Sequence, residues 1–376
     1  MNTWLPRTRW QWLALPAGVL ALLACLLLGL FRDPQQTLLS YLFAFFFFTG
    51  LSVGSLAVLM VHALTGGAWG WYIRAPLLAA ARALPLMAIA LIPILACLPT
   101  LYIWAQPAAP MHDHVLRQQG WYLASAFFVV RSVAYFVLWI GWSFAFMRNI
   151  DDPLGASRWA ASGLVVYALT SLTASVDWVV SLTPHWHSST FGMMVGTGWI
   201  LAAMALAVAV ATLVHDPNEA ATSALHDLGG VLMALVLAWS YLAFMQYLTI
   251  WIADLPDETV WYIPRTLTTW RWLAWFLIAF HFLIPFVLLL SHGAKRRRLW
   301  MRNLSAMLVI ANLADAFWLV VPSFRAHGFA LRWTDLLAPL GLGALWWCVY
   351  AGQLRAARAT MPARLGDALD MERSHG

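Results

Sequence analysis

The chain alternates long apolar runs with short polar breaks. Ten runs stand out, at about 11–31, 37–62, 83–104, 121–147, 158–182, 191–214, 227–253, 270–291, 302–321 and 334–354. A helix that crosses a bilayer needs roughly 20 mainly apolar residues. Strands of a membrane barrel would be about ten residues long and alternate in polarity. These runs are longer and apolar on every side, so the pattern predicts an all-α polytopic transmembrane protein of ten helices. It forms a single integral membrane domain over 1–376, closing with a short solvated tail at 355–376.

Composition agrees with the pattern. Of the 376 residues, 62% are hydrophobic and only 10% charged, against about 45–50% and about 25% in soluble domains. That balance excludes a soluble enzyme, a disordered chain and a collagen-like one. The net charge of +6 reads as topology rather than nucleic-acid binding, because Lys and Arg collect on the cytoplasmic side of membrane proteins. Fifteen of the 22 basic residues fall on the N-terminal side, including Arg7, Arg74, Arg82, Arg158, the run Lys295–Arg298, Arg364 and Arg373. Six fall on the other: Arg32, Arg117, Arg265, Arg271, Arg325 and Arg332. Both termini are therefore predicted in the cytoplasm.

Local features fill in this frame. The first apolar run is too long for a signal-peptide core, so it is read as a span and not a cleaved leader. Residues 66–82, with Trp69, Trp71, Arg74 and Arg82, are predicted to form a short interfacial helix. Gly50-x-x-x-Gly54 and Gly192-x-x-x-Gly196 are read as helix-packing faces. Cys25, Cys97 and Cys348 each stand alone in an apolar run, which offers no disulfide framework, zinc motif or iron–sulfur ligand set.

Ionisable residues inside hydrocarbon are costly, so each is a functional candidate by default. Arg131 lies within the fourth run, Asp177 near the outer end of the fifth, His281 in the middle of the eighth, and Asp315 in the outer half of the ninth beside Asn312. Arg131 stays charged and needs a partner; Asp177 and Asp315 both qualify. The pair is either a structural lock between helices or part of a polar site that handles a proton or a quinone headgroup. Ser132, Tyr135 and Trp139 continue that site along the helix, and the Tyr135 hydroxyl could donate to a quinone carbonyl. His281 stands four residues before Pro285, which removes the N–H that would bond the carbonyl of residue 281, so a kink is predicted there. His281 is then a satisfied core residue or a proton relay; bis-histidine haem would need a second mid-membrane histidine.

Two loops on the outer side are denser in polar groups. One is Asp177-Trp-Val-Val-Ser-Leu-Thr-Pro-His185-Trp186-His187-Ser-Ser-Thr190, the other Asp254-Leu-Pro-Asp257-Glu258-Thr-Val-Trp-Tyr262. His185, Trp186, His187, Asp254, Asp257 and Glu258 are candidates for contact with partners. The pairs His185/His187 and His112/His114 lack a third ligand at a telling spacing, so no metal is assigned. No nucleophile triad, phosphate loop or dinucleotide fingerprint appears, so the residues alone assign no catalytic role.

These two loops, together with FHFLIPFVLLLS in the eighth run, carry a resemblance. The chain resembles the polysulfide-reductase membrane-subunit (NrfD-like) family, in the branch that supplies the second quinone-associated membrane subunit of bacterial alternative complex III. The three segments occur in order and the resemblance spans the ten-run chain. The family often has Phe where His187 stands and a basic residue near His292. The resemblance implies two four-helix bundles, spans two to five and six to nine, flanked by the first and last spans. It implies a subunit of a quinol:cytochrome c oxidoreductase in the bacterial inner membrane, supporting quinol oxidation or proton translocation. The implied partners are a homologous quinol-binding membrane subunit, a periplasmic iron–sulfur protein, c-type haem subunits and a terminal oxidase. Redox centres would reside in those partners, leaving quinone or menaquinone and lipids as the ligands here. A scaffold subunit of the same complex and a small-molecule or ion transporter are the alternatives.

Overall fold

A computed structural model describes residues 9–107, 113–215 and 219–359. Arg7, His112, Arg364, Arg373 and the tail from residue 360 lie outside the described residues. Among those described the chain is helical, with no strand. The ten runs become α1 Arg9–Arg32, α2 Pro34–Thr65, α3 Ala68–Ala81, α4 Ser125–Arg148, α5 Pro153–Trp178, α6 Phe191–Val214, α7 Glu219–Ala253, α8 Arg271–Leu277, α9 Arg298–Val320 and α10 Trp333–Ala359. Short helices Leu84–Ala90, Ile92–Ala96 and Leu98–Leu101 prolong α3, and the helix Ile284–Leu290 prolongs α8. Among the described residues, nine helical stretches are long and apolar enough to cross a membrane. The protein is a multi-pass membrane protein.

The third crossing departs from the sequence expectation. Residues 68–81 form its first half rather than an interfacial helix, so the crossing covers Ala68–Ala96 and not the run at 83–104. Tyr72 through Ala81 are buried, because a run of alanines lets this segment press closely on α2, α6, α7 and α10. Arg74 is buried with it and pairs with Asp151 at 3.2 Å. The helix then breaks near Ala83, Leu91 and Cys97. Each break lies two residues before a proline (Pro85, Pro93, Pro99), whose ring clashes with the preceding turn.

Helices α2 to α5 pack on one another, as do α6 to α9. The seam between the two groups is α2 against α6. Along their most apolar stretch, 94% of α2 residues are buried against 22% in the eighth span, so α2 is the central pillar and the eighth span faces outward. Both glycine pairs work as predicted. A Cβ on Gly50 would stand 2.2 Å from Trp199 Cδ1, and one on Gly54 would stand 2.2 Å from the Trp199 carbonyl oxygen. Gly192 and Gly196 give α5 the same close approach, against Leu172 and Ser171.

The first and last helices lie together beside α2. Gly18 faces Ala344, Gly341 faces Leu22, and Cys25 is fully buried. The predicted kink at His281 appears as a π-helical turn over Ile278–Leu283, directly before Pro285. A π turn absorbs the missing N–H bond without ending the helix.

Candidate functional site

Polar groups inside the spans gather in two places. The first is held by α4 and α5. Arg131 grips Asp177 with two parallel bonds, Nε to Oδ2 at 2.9 Å and Nη2 to Oδ1 at 2.8 Å. The Tyr135 hydroxyl donates to the same Oδ2 at 2.6 Å. The third arm of the guanidinium donates from Nη1 to the Tyr122 carbonyl at 2.8 Å, and the cation lies over the Tyr122 and Phe127 rings. Neighbouring groups are also spoken for: Trp178 donates to Ser132, Trp139 to Thr170 and Tyr102 to the Trp178 carbonyl. Arg131 thus finds Asp177 and not Asp315. The Tyr135 hydroxyl proton is committed to the carboxylate rather than free for a quinone.

The second place lies among α6, α7, the π turn and α9, and it is built differently. Asp315 and Asn312, one turn apart on α9, line a cavity walled by Phe46, Phe47, Gly198, Trp199 and Leu319. Free space there amounts to about one or two water molecules. The Trp239 indole approaches the Asp315 carboxyl, and the Trp239 ring packs against His281, tilted by 41° with centroids 3.9 Å apart. No cation pairs with Asp315 among the described residues. His281 is fully buried. Both of its ring nitrogens lack a hydrogen-bond partner, as do the indole nitrogens of Trp239 and Trp199. Buried polar groups in native proteins are matched as a rule by partners or ordered water. The cavity beside Asp315 and Asn312 has room for such water, while His281 and Trp239 lie outside its lining.

Trp239 is the residue that sequence reasoning missed. Its position in the apolar run gave it no polar signal; only the fold sets it between His281 and Asp315.

The two polar loops divide as well. His185 bonds Asp113 at 2.9 Å, and His187 meets Gln119 at 2.9 Å. The two histidines are thus committed to different neighbours and do not share a ligand. What burial Asp113 has acts to raise its carboxyl pKa. The Leu116 and Val115 N–H groups and His185 outweigh it and hold that carboxyl below the ordinary range. Trp186 is not a surface contact: it is fully buried and stacks on Trp261 at 4.8 Å and 15°. An indole of that size gains more from an internal slot than from the surface. Asp254 and Asp257 are exposed and Glu258 half-buried, beside the exposed Trp251, Ile252 and Leu255.

Two arginines counted by sequence as loop charges are buried. Arg325 makes two 2.8 Å bonds to Asp335 and a 2.7 Å bond to Gln36, tying α2 to α10. Arg265 lies 3.6 Å over the Trp261 ring and donates to the carbonyls of Trp261, Trp318 and Leu319. Two of those carbonyls end α9, where the helix dipole favours a cation.

In comparisons with known proteins, no family model matches the chain and no curated sequence matches it.

Proposed function

We propose that the chain is a membrane subunit of a bacterial quinol-oxidising electron-transfer complex, a quinol:cytochrome c oxidoreductase, and that it handles protons without redox centres of its own. It would lie in the inner membrane with both termini in the cytoplasm, the side that carries Lys295–Arg298. The observation that carries the proton-handling role is the second cluster: a carboxyl and an imidazole, buried in apolar spans, with unfilled hydrogen-bonding capacity and room for water. A group serves as a proton relay when its bonds are free to change. Asp315 and His281 meet that condition. Asp177 does not, since both of its oxygens are held by Arg131 and Tyr135. The space beside Asp315 suits water and not a quinone ring, so quinol itself would bind in a partner subunit.

What supports the quinol-oxidising setting is the resemblance of three segments, residues 177–190, 252–262 and 280–291. The partners it implies are a homologous quinol-binding membrane subunit, a periplasmic iron–sulfur protein and c-type haem subunits, with a terminal oxidase beyond them. The exposed acids Asp254 and Asp257 and the half-buried Glu258 offer a surface to such partners on the outer side.

The direct test is purification of the tagged chain from its own membranes. Haem and iron–sulfur spectra should travel with it, together with quinol:cytochrome c reductase activity. A chain that purifies alone, or with neither spectrum, would contradict the proposal. A scaffold role is the second reading, and the fully satisfied Arg131–Asp177 lock favours it. In that case substitution of Asp315 that preserves assembly would leave turnover intact.

A further inference from the structure

The face of the molecule that carries Lys295–Arg298 holds a cation with no carboxylate partner among the described residues. Lys295 sits on the short helix His292–Arg296 between the eighth span and α9. It is only 9% exposed, because its aliphatic stem lies against Gly229 of α7, where an added Cβ would come within 2.7 Å of Lys295 Cγ. Among the described residues no carboxylate pairs with it. The neighbouring Arg296 and Arg297 are exposed. The nearby Asp227 is directed to His226, which in turn bonds His292 at 2.9 Å.

The surroundings of Lys295 are apolar. It lines a shallow notch with Leu288, Leu289, Trp300, Met301 and Leu304. Leu299 and Trp300 are exposed beside it, the tryptophan as such rings are at the headgroup level of a bilayer. A lysine whose stem is buried and whose ammonium meets no carboxylate among the described residues is open to an anion, and the exposed Leu299 and Trp300 beside it are open to hydrocarbon. A phosphate joined to acyl chains supplies both in one molecule.

We propose that this notch is a binding site for an anionic glycerophospholipid. Its phosphate sits on Lys295 with Arg296 and Arg297 alongside, and an acyl chain lies along the exposed Leu299 and Trp300 at the mouth of the notch. The bound lipid fills the gap between the eighth span and α9 and pins the short helix between them.

The test uses the full chain in detergent, offered phosphatidylglycerol and phosphatidylcholine of identical chains, with retained lipid read by native mass spectrometry. Phosphatidylglycerol should be retained in preference. Lys295→Gln and Arg296→Gln should each cut that preference about fivefold, the share of one basic residue near an anionic headgroup. Lys295→Arg should keep it, as should Arg158→Gln, which removes an exposed charge on another helix. Met301→Trp, which fills the notch and leaves every charge in place, should lose retention. Equal retention of the two lipids would overturn the proposal. So would an undiminished preference in both glutamine variants, or displacement of the lipid by millimolar inorganic phosphate, which would make the site one for small anions. An acidic partner protein bound there instead would show as mass carried by that protein with no lipid preference, and would equally overturn it.

Discussion

The two polar places inside this membrane protein use similar ingredients to opposite ends. Each has a carboxyl in the C-terminal half of a helix, flanked by aromatic rings. In the first, between α4 and α5, every arm is occupied: Arg131 meets Asp177 twice, Tyr135 completes the second oxygen, and a carbonyl takes the remaining guanidinium arm. In the second, Asp315 has no cation among the described residues and His281 keeps both nitrogens open. A closed network fixes geometry. An open one leaves polar capacity for something that comes and goes. The difference teaches that burial of an ionisable group does not by itself mark function; its unfilled bonds do.

Substitutions should separate the two places, and the largest effect falls on the closed one. Arg131→Leu leaves Asp177 buried without its cation and should cost about 3–5 kcal/mol, seen as loss of the folded chain or a sharp fall in melting temperature in detergent. Replacing both partners with apolar residues of similar volume should recover much of that loss, since a buried pair is worth little against good packing. If Arg131→Leu melted like the parent, the lock would not exist.

Asp177→Asn is milder. It keeps shape and some hydrogen bonds but weakens charge-assisted ones, at a cost of about 1.5–3 kcal/mol. The variant should assemble at reduced stability with turnover per assembled complex unchanged.

The open place should answer the other way. His281→Phe replaces a ring whose nitrogens have no protein partner, so stability should shift by less than about 1 kcal/mol in either direction. A large loss on thermal unfolding would mean that the imidazole is held by bonds that water alone does not explain.

The smallest effect concerns the outer loop. Asp113 has a lowered carboxyl pKa when folded, so its clasp with His185 is present above the ordinary carboxylate pKa and is lost as pH falls through the folded value. Protection from hydrogen exchange in residues 113–118, corrected for the intrinsic rate, should fall as pH drops below about 4; unchanged protection down to about pH 2 would contradict the clasp.

Much of this was legible in the chain because the bilayer imposes a coarse rule, length and apolarity. The multi-pass helical fold, the two glycine pairs and the irregular turn before Pro285 were all legible in the chain. The rule fails where apolarity continues past a crossing. Residues 68–81 are alanine-rich with tryptophans, which suits an interfacial helix and a buried one equally; only packing on α2, α6, α7 and α10 decides. Asp177 and Asp315 were equivalent partners for Arg131 by depth, since depth says nothing about which face of which helix meets which. Trp186 looked like a surface anchor because it stands between histidines in a loop. Its slot against Trp261 comes from a segment some seventy-five residues away. Arg265 and Arg325 were counted as loop charges because a charge in a loop is ordinarily solvated, and no local pattern announces a carbonyl cage or the Asp335 fork.

The most direct test compares Asp315→Asn with Asp177→Asn in the assembled complex, reading quinol turnover and protons released per electron, each normalised to bound haem. The account predicts that Asp315→Asn assembles normally and lowers turnover by about a hundredfold, the low end for a lost proton-transfer group, or releases fewer protons per electron, while Asp177→Asn is unstable but competent. Normal activity and proton yield in Asp315→Asn, with loss confined to Asp177→Asn, would contradict it.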